Sequence, residues 1–172
     1  MTVDLTAHIR DVPDFPQPGI VFKDITPLLA VPDAFRHAVR SIADTLDGLA
    51  VTKVAGIEAR GFVLAAPVAI ELGAGFVPVR KKGKLPWETV GVSYDLEYGS
   101  ETVEVHTDCV TEGERIAVVD DVLATGGTAR ATVDLLRGQG AEVVACSFLI
   151  TLGFLDGRSR LTDVRVHQVL EL

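Results

Sequence analysis

Apolar positions along the chain fall into two alternating patterns. Short runs rich in Val and Ile, bounded by charge or Gly, predict strands at Lys53 to Ile57, Phe76 to Val79, Glu101 to His106, Ile116 to Asp120, Val143 to Ile150 and Val164 to Leu170. Between them, Phe35, Ala38, Val39, Ile42, Ala43 and Leu46 recur at helical spacing and predict a helix that buries one face. Further helices are predicted over Gly61 to Leu72 and Thr128 to Arg137, the latter with an apolar stripe of Ala129, Val133 and Leu136. A short N-terminal helix is predicted over Val3 to Arg10, followed by a Pro-rich stretch from Pro13 to Gly19 that cannot be regular helix. Strands alternating with helices imply an α/β domain with a mainly parallel sheet covered by helices. The polar, Gly- and Pro-bearing segment from Lys82 to Gly99 is too long for an ordinary connection and reads as a lid or binding loop.

Composition narrows the class. The 172 residues suit one domain with a real core, at 48% hydrophobic and 23% charged. A net charge of −8 argues against nucleic-acid or membrane-surface partners. Against that acidity stands a basic cluster, Arg80-Lys81-Lys82-Gly83-Lys84, directly after an apolar strand, which reads as a receptor for a polyanion. Cys109 and Cys146 have no metal-ligand spacing and fit a reducing compartment. The N-terminus lacks a signal-peptide pattern, and no apolar run is long enough to span a bilayer, so a cytoplasmic protein is expected. His8, His37, His106 and His167 form no catalytic or metal spacing, and Asp24, Glu101 and Glu104 read as solvated charge.

The chemistry concentrates at Ile116-Ala-Val-Val-Asp-Asp-Val-Leu-Ala-Thr-Gly-Gly-Thr128. A strand buried on both faces carries Asp120 and Asp121 at its C-terminal end, and a small-residue loop leads into a helix. Open α/β sheets bind ligands at that end of their strands. Helix N-terminal N–H groups bind phosphate, and Gly126-Gly127 lets the backbone approach one. The acids would repel phosphate but accept hydrogen bonds from hydroxyls. Together they describe a site for ribose 5-phosphate. The loop lacks the Gly-Lys-Ser/Thr of a Walker A site and the G-x-G-x-x-G of a dinucleotide fold.

This segment resembles the 5-phosphoribosyl pyrophosphate (PRPP) loop of type I phosphoribosyltransferases. The blocks Asp14-Phe-Pro-Gln-Pro-Gly-Ile-Val-Phe-Lys-Asp-Ile25, Glu58-Ala-Arg-Gly-Phe62, Arg80-Lys-Lys-Gly-Lys-Leu-Pro86 and Leu96-Glu-Tyr-Gly99 resemble the adenine phosphoribosyltransferase branch in family order. The resemblance implies that fold, with residues 1–30 as a small N-terminal hood and 82–99 as a flexible catalytic loop. It implies conversion of adenine and PRPP to AMP and pyrophosphate, in purine salvage.

Ala124, Thr125, Gly126, Gly127 and Thr128 would then cradle the 5-phosphate. Asp120 and Asp121 would hold the ribose hydroxyls and stabilise the cationic sugar. Ala59 and Arg60, on a loop that in the family often contains a non-proline cis peptide, would meet pyrophosphate together with Arg80, Lys81 and Lys84. Glu97 would be the general acid/base near adenine N7, with Tyr98 closing the lid. Val21, Phe22, Lys23 and Leu152 would form the base pocket. Magnesium would come bound to substrate oxygens, without a dedicated protein cage. A homodimer is implied, because some members deliver a basic residue to the neighbouring site. The family often has Glu at the position of Thr151 and Gly at that of Ala65, which leaves the outer shell of the base pocket open. Two alternatives stand beside adenine transfer: the same chemistry on xanthine, hypoxanthine or orotate, and a PRPP-sensing regulator without catalysis.

Overall fold

A computed structural model describes residues 3–96 and 99–172. A seven-stranded sheet carries the fold, in the order β5-β6-β4-β3-β7-β8-β9. Its strands are β3 (Lys53–Ile57), β4 (Gly75–Lys81), β5 (Thr89–Leu96), β6 (Gly99–His106), β7 (Arg115–Leu123), β8 (Glu142–Thr151) and β9 (Arg165–Glu171). From β4 to β9 the order is β4-β3-β7-β8-β9 and every pairing is parallel. β6 runs antiparallel to both β4 and β5. No helix among the described residues is long and apolar enough to cross a membrane.

Alternation along β7 explains the layers. Ala117 and Val119 face the core under α2 (Pro32–Thr45) and α3 (Arg60–Leu72), with Ile42, Leu64, Val68 and Leu149. Ile116 and Val118 face the opposite core under α4 (Gly127–Gly138), with Val133, Leu136 and Phe148. A strand covered on both faces needs apolar residues at every position, and Ile116 to Val119 supplies them. The predicted stripe Ala129, Val133 and Leu136 is buried. α3 ends at Gly73, whose φ of 65° stops the helix.

The order β4-β3-β7 sets the site. Chain connections leave β3 toward β4 on one side, while β7 continues to β8 on the other, which makes the β3/β7 boundary a topological switch point. β3 pairs with β7 only as far as Val119. Beyond it, Asp120 to Leu123 have β8 as their only strand neighbour among the described residues, and a crevice opens where β3 has ended.

Three expectations are corrected. Residues 3–10 form no α-helix: Asp4 accepts hydrogen bonds from the Thr6 N–H (3.0 Å) and hydroxyl (2.6 Å), which favours a short 3-10 turn at Thr6–His8. β1 (Arg10–Pro13) follows and pairs antiparallel with β2 (Val21–Asp24), leading into the short helix α1 (Thr26–Ala30). The central strand does not end at Asp120 but runs on to Leu123, because β8 still supplies hydrogen-bond partners there. Nor is 82–99 one long irregular connection. Thr89–Leu96 is strand, because Val90, Val92 and Tyr94 alternate and pack on the α4-side core. Glu97 and Tyr98, given catalytic and lid roles above, lie outside the described residues.

Candidate active site

The crevice at the switch point is a cleft of about 560 Å³. Ala59, Arg60, Arg80, Lys81, Lys84, Asp120, Asp121, Ala124 and Thr128 all line it, so residues from three separate sequence blocks meet there. Thr125, Gly126 and Gly127 line a smaller adjoining hollow of about 90 Å³ with Ala124 and Thr128. That hollow lies at the N-terminus of α4, whose first N–H groups have no partner within the helix.

The two acids differ. Asp121 is only 3% exposed, and the Arg60 guanidinium pairs with it. Arg60 also stacks on Phe22, 4.6 Å from the ring centroid, which ties the N-terminal hairpin to the cleft. Asp120 accepts the Asp121 N–H at 2.9 Å. Desolvation, with the Asp121 charge next to it, pushes the Asp120 carboxyl well above the ordinary range. Gly61 makes room for it, since a Cβ there would stand 2.5 Å from Asp120 Oδ1.

A pH effect follows from Asp120. The folded chain holds a proton that the unfolded chain releases above about pH 4, so this group's contribution to stability is present in acid and lost as pH rises through the raised folded pKa. Asp120→Asn is therefore expected to melt higher than the wild type at neutral pH, with the gap closing in mild acid. The KM for PRPP should rise on the order of tenfold, the loss of one hydrogen bond to ribose. Melting curves from pH 5 to 8 check the first part; a gap that widens in acid would contradict it.

Opposite the acids, Glu58 organises the cations. It accepts Lys84 Nζ at 2.6 Å, the Lys81 N–H at 3.0 Å and Arg80 Nε at 3.2 Å. Burial opposes its ionisation, but these donors outweigh burial and hold the carboxyl below its ordinary range. The Glu58–Ala59 peptide is cis, as the family resemblance implied. Glu101 and Glu104 are not solvated charge. Three residues apart on β6, they point to opposite faces: Glu101 binds Lys81 Nζ at 2.6 Å, and buried Glu104 accepts the Gly83 N–H at 2.9 Å.

The base-pocket residues do not line the cleft. Phe22 reaches it only through Arg60, Val21 is 47% exposed, and Lys23 extends its ammonium to Asp11 at 2.7 Å. Leu152 is buried in the core beneath α2 and α3. The role given to the paired glycines also divides. Gly126 has φ 80°, and a Cβ on it would lie 2.4 Å from the Gly157 carbonyl oxygen. A Cβ on Gly127 would meet only the Tyr94 ring, at 3.5 Å. Gly126 is thus required by its backbone conformation and by close packing on Gly157, whatever the loop binds. Four contributors were missed: Glu58, Tyr94, Glu101 and Gly157. The alternation of Val90, Val92 and Tyr94 is the one sequence signal that could have found Tyr94; nothing near Gly126 points to Gly157.

Comparison with known proteins agrees with this geometry. The family model of the phosphoribosyl transferase domain matches residues 23–169. The adenine phosphoribosyltransferase of Thermobifida fusca is 61% identical over 160 residues, 93% of this chain and 91% of the relative. The crystal structure of the Rhodothermus marinus adenine phosphoribosyltransferase matches with a TM-score of 0.94 at 54% identity, over 98% of this chain and 96% of its own. That of Saccharomyces cerevisiae, complexed with an imino-altritol bisphosphate and adenine, matches with a TM-score of 0.91 at 34% identity, over 96% of each chain.

Proposed function

The chain belongs to the adenine phosphoribosyltransferase branch of the type I phosphoribosyltransferases, and we propose that the cleft at its β3/β7 switch point performs that family's reaction as follows. Adenine and PRPP give AMP and pyrophosphate. The C1–O bond of PRPP breaks, pyrophosphate leaves with the electron pair, and adenine N9 bonds to C1 as the imidazole ring loses its proton. The observation that carries this reading is the meeting of Asp120, Asp121, four cations and the phosphate-sized hollow in one crevice.

N–H groups at the start of α4 hold the 5-phosphate, with the Thr128 hydroxyl beside them. Asp120 and Asp121 accept the ribose hydroxyls, and Asp121 opposes the positive charge that builds on the sugar. Arg60, Arg80, Lys81 and Lys84 neutralise the leaving pyrophosphate. No group of three or more His, Cys, Asp or Glu side chains among the described residues forms a metal cage. Magnesium would arrive with PRPP, held mainly by substrate oxygens and water near Asp120 and Asp121, and would supply charge neutralisation at the pyrophosphate.

The adenine ring is read by the backbone of Val21 to Lys23 and packed by Phe22, which Arg60 ties to the cleft, with Leu152 backing it from the core. Glu97 exchanges the proton at N7, and Tyr98 belongs to the lid over the site. The enzyme works as a homodimer in the cytoplasm. Two free cysteines fit a reducing compartment, and burial pushes the Cys146 thiol up to about 12.

Incubation with PRPP, magnesium and each of adenine, hypoxanthine, guanine, xanthine and orotate tests the reading. Nucleotide is expected from adenine alone. Product from another base would keep the PRPP site and discard the base pocket. PRPP binding without product from any base would favour the regulator.

A further inference from the structure

Four side chains form one hydrogen-bonded chain along the cleft wall. Thr128 Oγ1, in the first turn of α4, donates to the Tyr94 hydroxyl on β5 at 3.0 Å. Tyr94 in turn donates to Glu101 Oε2 on β6 at 3.0 Å. Glu101 Oε1 accepts Lys81 Nζ, from the end of β4, at 2.6 Å. Direction matters here, because a hydroxyl has a single hydrogen. The Thr128 proton points at Tyr94, away from any phosphate in the hollow. The Lys81 ammonium is drawn onto the hairpin. Both groups that should meet substrate anions are therefore committed to one internal acceptor system.

Charge supports this state. Hydrogen bonding to Glu101 raises Lys81 above its ordinary range, and the same bond lowers Glu101 below its own. Burial, foremost, raises the Tyr94 phenol, which stays protonated and able to donate. Glu58 is different. Its side chain is 9% exposed and receives three donors, which makes it a fixed brace. The Glu101 side chain is 33% exposed and its Lys81 partner 52%, so this pair can exchange partners.

We propose that Glu101, held by Tyr94, is an internal counter-anion that keeps Lys81 and Thr128 when no substrate is bound and yields them to the two phosphate ends of the substrate. The inference rests on the reading above, in which Lys81 meets pyrophosphate and Thr128 the 5-phosphate. Glu101 and pyrophosphate then compete for one ammonium, which weakens capture of the polyanion and aids its release as product. Tyr94 is a positioning residue. It fixes Glu101, its ring stands beside Gly127, and it holds the Thr128 hydroxyl until a phosphate claims it.

Isothermal titration of the wild type, Glu101→Gln and Tyr94→Phe with magnesium pyrophosphate and, separately, with AMP tests this. Glu101→Gln should bind pyrophosphate more tightly, on the order of fivefold, the upper worth of one partly exposed ion pair. Tyr94→Phe should bind AMP about two- to tenfold more tightly, the worth of one neutral hydrogen bond freed for phosphate. A purely structural role predicts weaker binding in both variants. Unchanged or weaker pyrophosphate binding by Glu101→Gln overturns the proposal. A wild type that binds no pyrophosphate overturns the site reading beneath it instead.

Discussion

Asp121→Asn should lower kcat by about 10²- to 10³-fold, the usual cost of removing one preorganised electrostatic group from an active site. Three effects combine at this position. The ribose loses a charged acceptor. The developing sugar cation loses a fixed negative charge. Arg60 loses the partner that holds it between the cleft and Phe22. Asp121 is almost fully buried, so water cannot take over its role. Arg60, by contrast, keeps 43% of its side chain exposed and can turn to solvent, so folding should suffer much less than turnover. Steady-state kinetics with adenine and PRPP, beside a melting curve, separate the two. A variant within threefold of wild-type kcat would reduce Asp121 to a brace for Arg60.

Gly126→Ala should weaken PRPP binding by at least about a hundredfold and also lower the Tm. A side chain at φ 80° costs about 1–2 kcal/mol. Worse, the new Cβ would lie 2.4 Å from the Gly157 carbonyl oxygen, and no rotamer relieves a clash with backbone. The loop must move, and the donors at the start of α4 move with it. At roughly 2–4 °C per kcal/mol for a chain of this size, the melting shift should be several degrees. Gly127→Ala is the control. Its Cβ meets only the edge of the Tyr94 ring at van der Waals distance, so the fold should barely respond. Equal damage from both substitutions would show that phosphate approach, not packing on Gly157, fixes the loop.

The family blocks and the central strands were legible because they are local. Ile116 to Val119 is apolar throughout because both faces of β7 are covered, and that requirement is written into consecutive residues. The loop from Ala124 to Thr128 could be read for the same reason, since strand end, small residues and helix start are adjacent in the chain. β5 was harder. Its alternation of Val90, Val92 and Tyr94 is broken up by Gly91, Ser93 and Asp95, and the Gly- and Pro-bearing stretch before it looked like open loop. At the N-terminus, the local Asp4–Thr6 hydrogen bonds and the pairing of β1 with β2 overrode a weak helical pattern.

Local pattern along the chain marks which segments are buried strands, where the phosphate loop lies and which residue types could serve ribose and pyrophosphate. Which of them meet is set by the folded topology. Arg60 pairs with Asp121 across 61 positions, Lys84 with Glu58 across 26, and Tyr94 joins Thr128 across 34. The close packing of Gly126 on Gly157 belongs to the same class. Such contacts leave no period or spacing in a chain. They arise because the order β4-β3-β7 ends β3 short of Asp120 and folds the β5/β6 hairpin onto α4, so that carboxylates and cations from distant blocks face each other across one crevice.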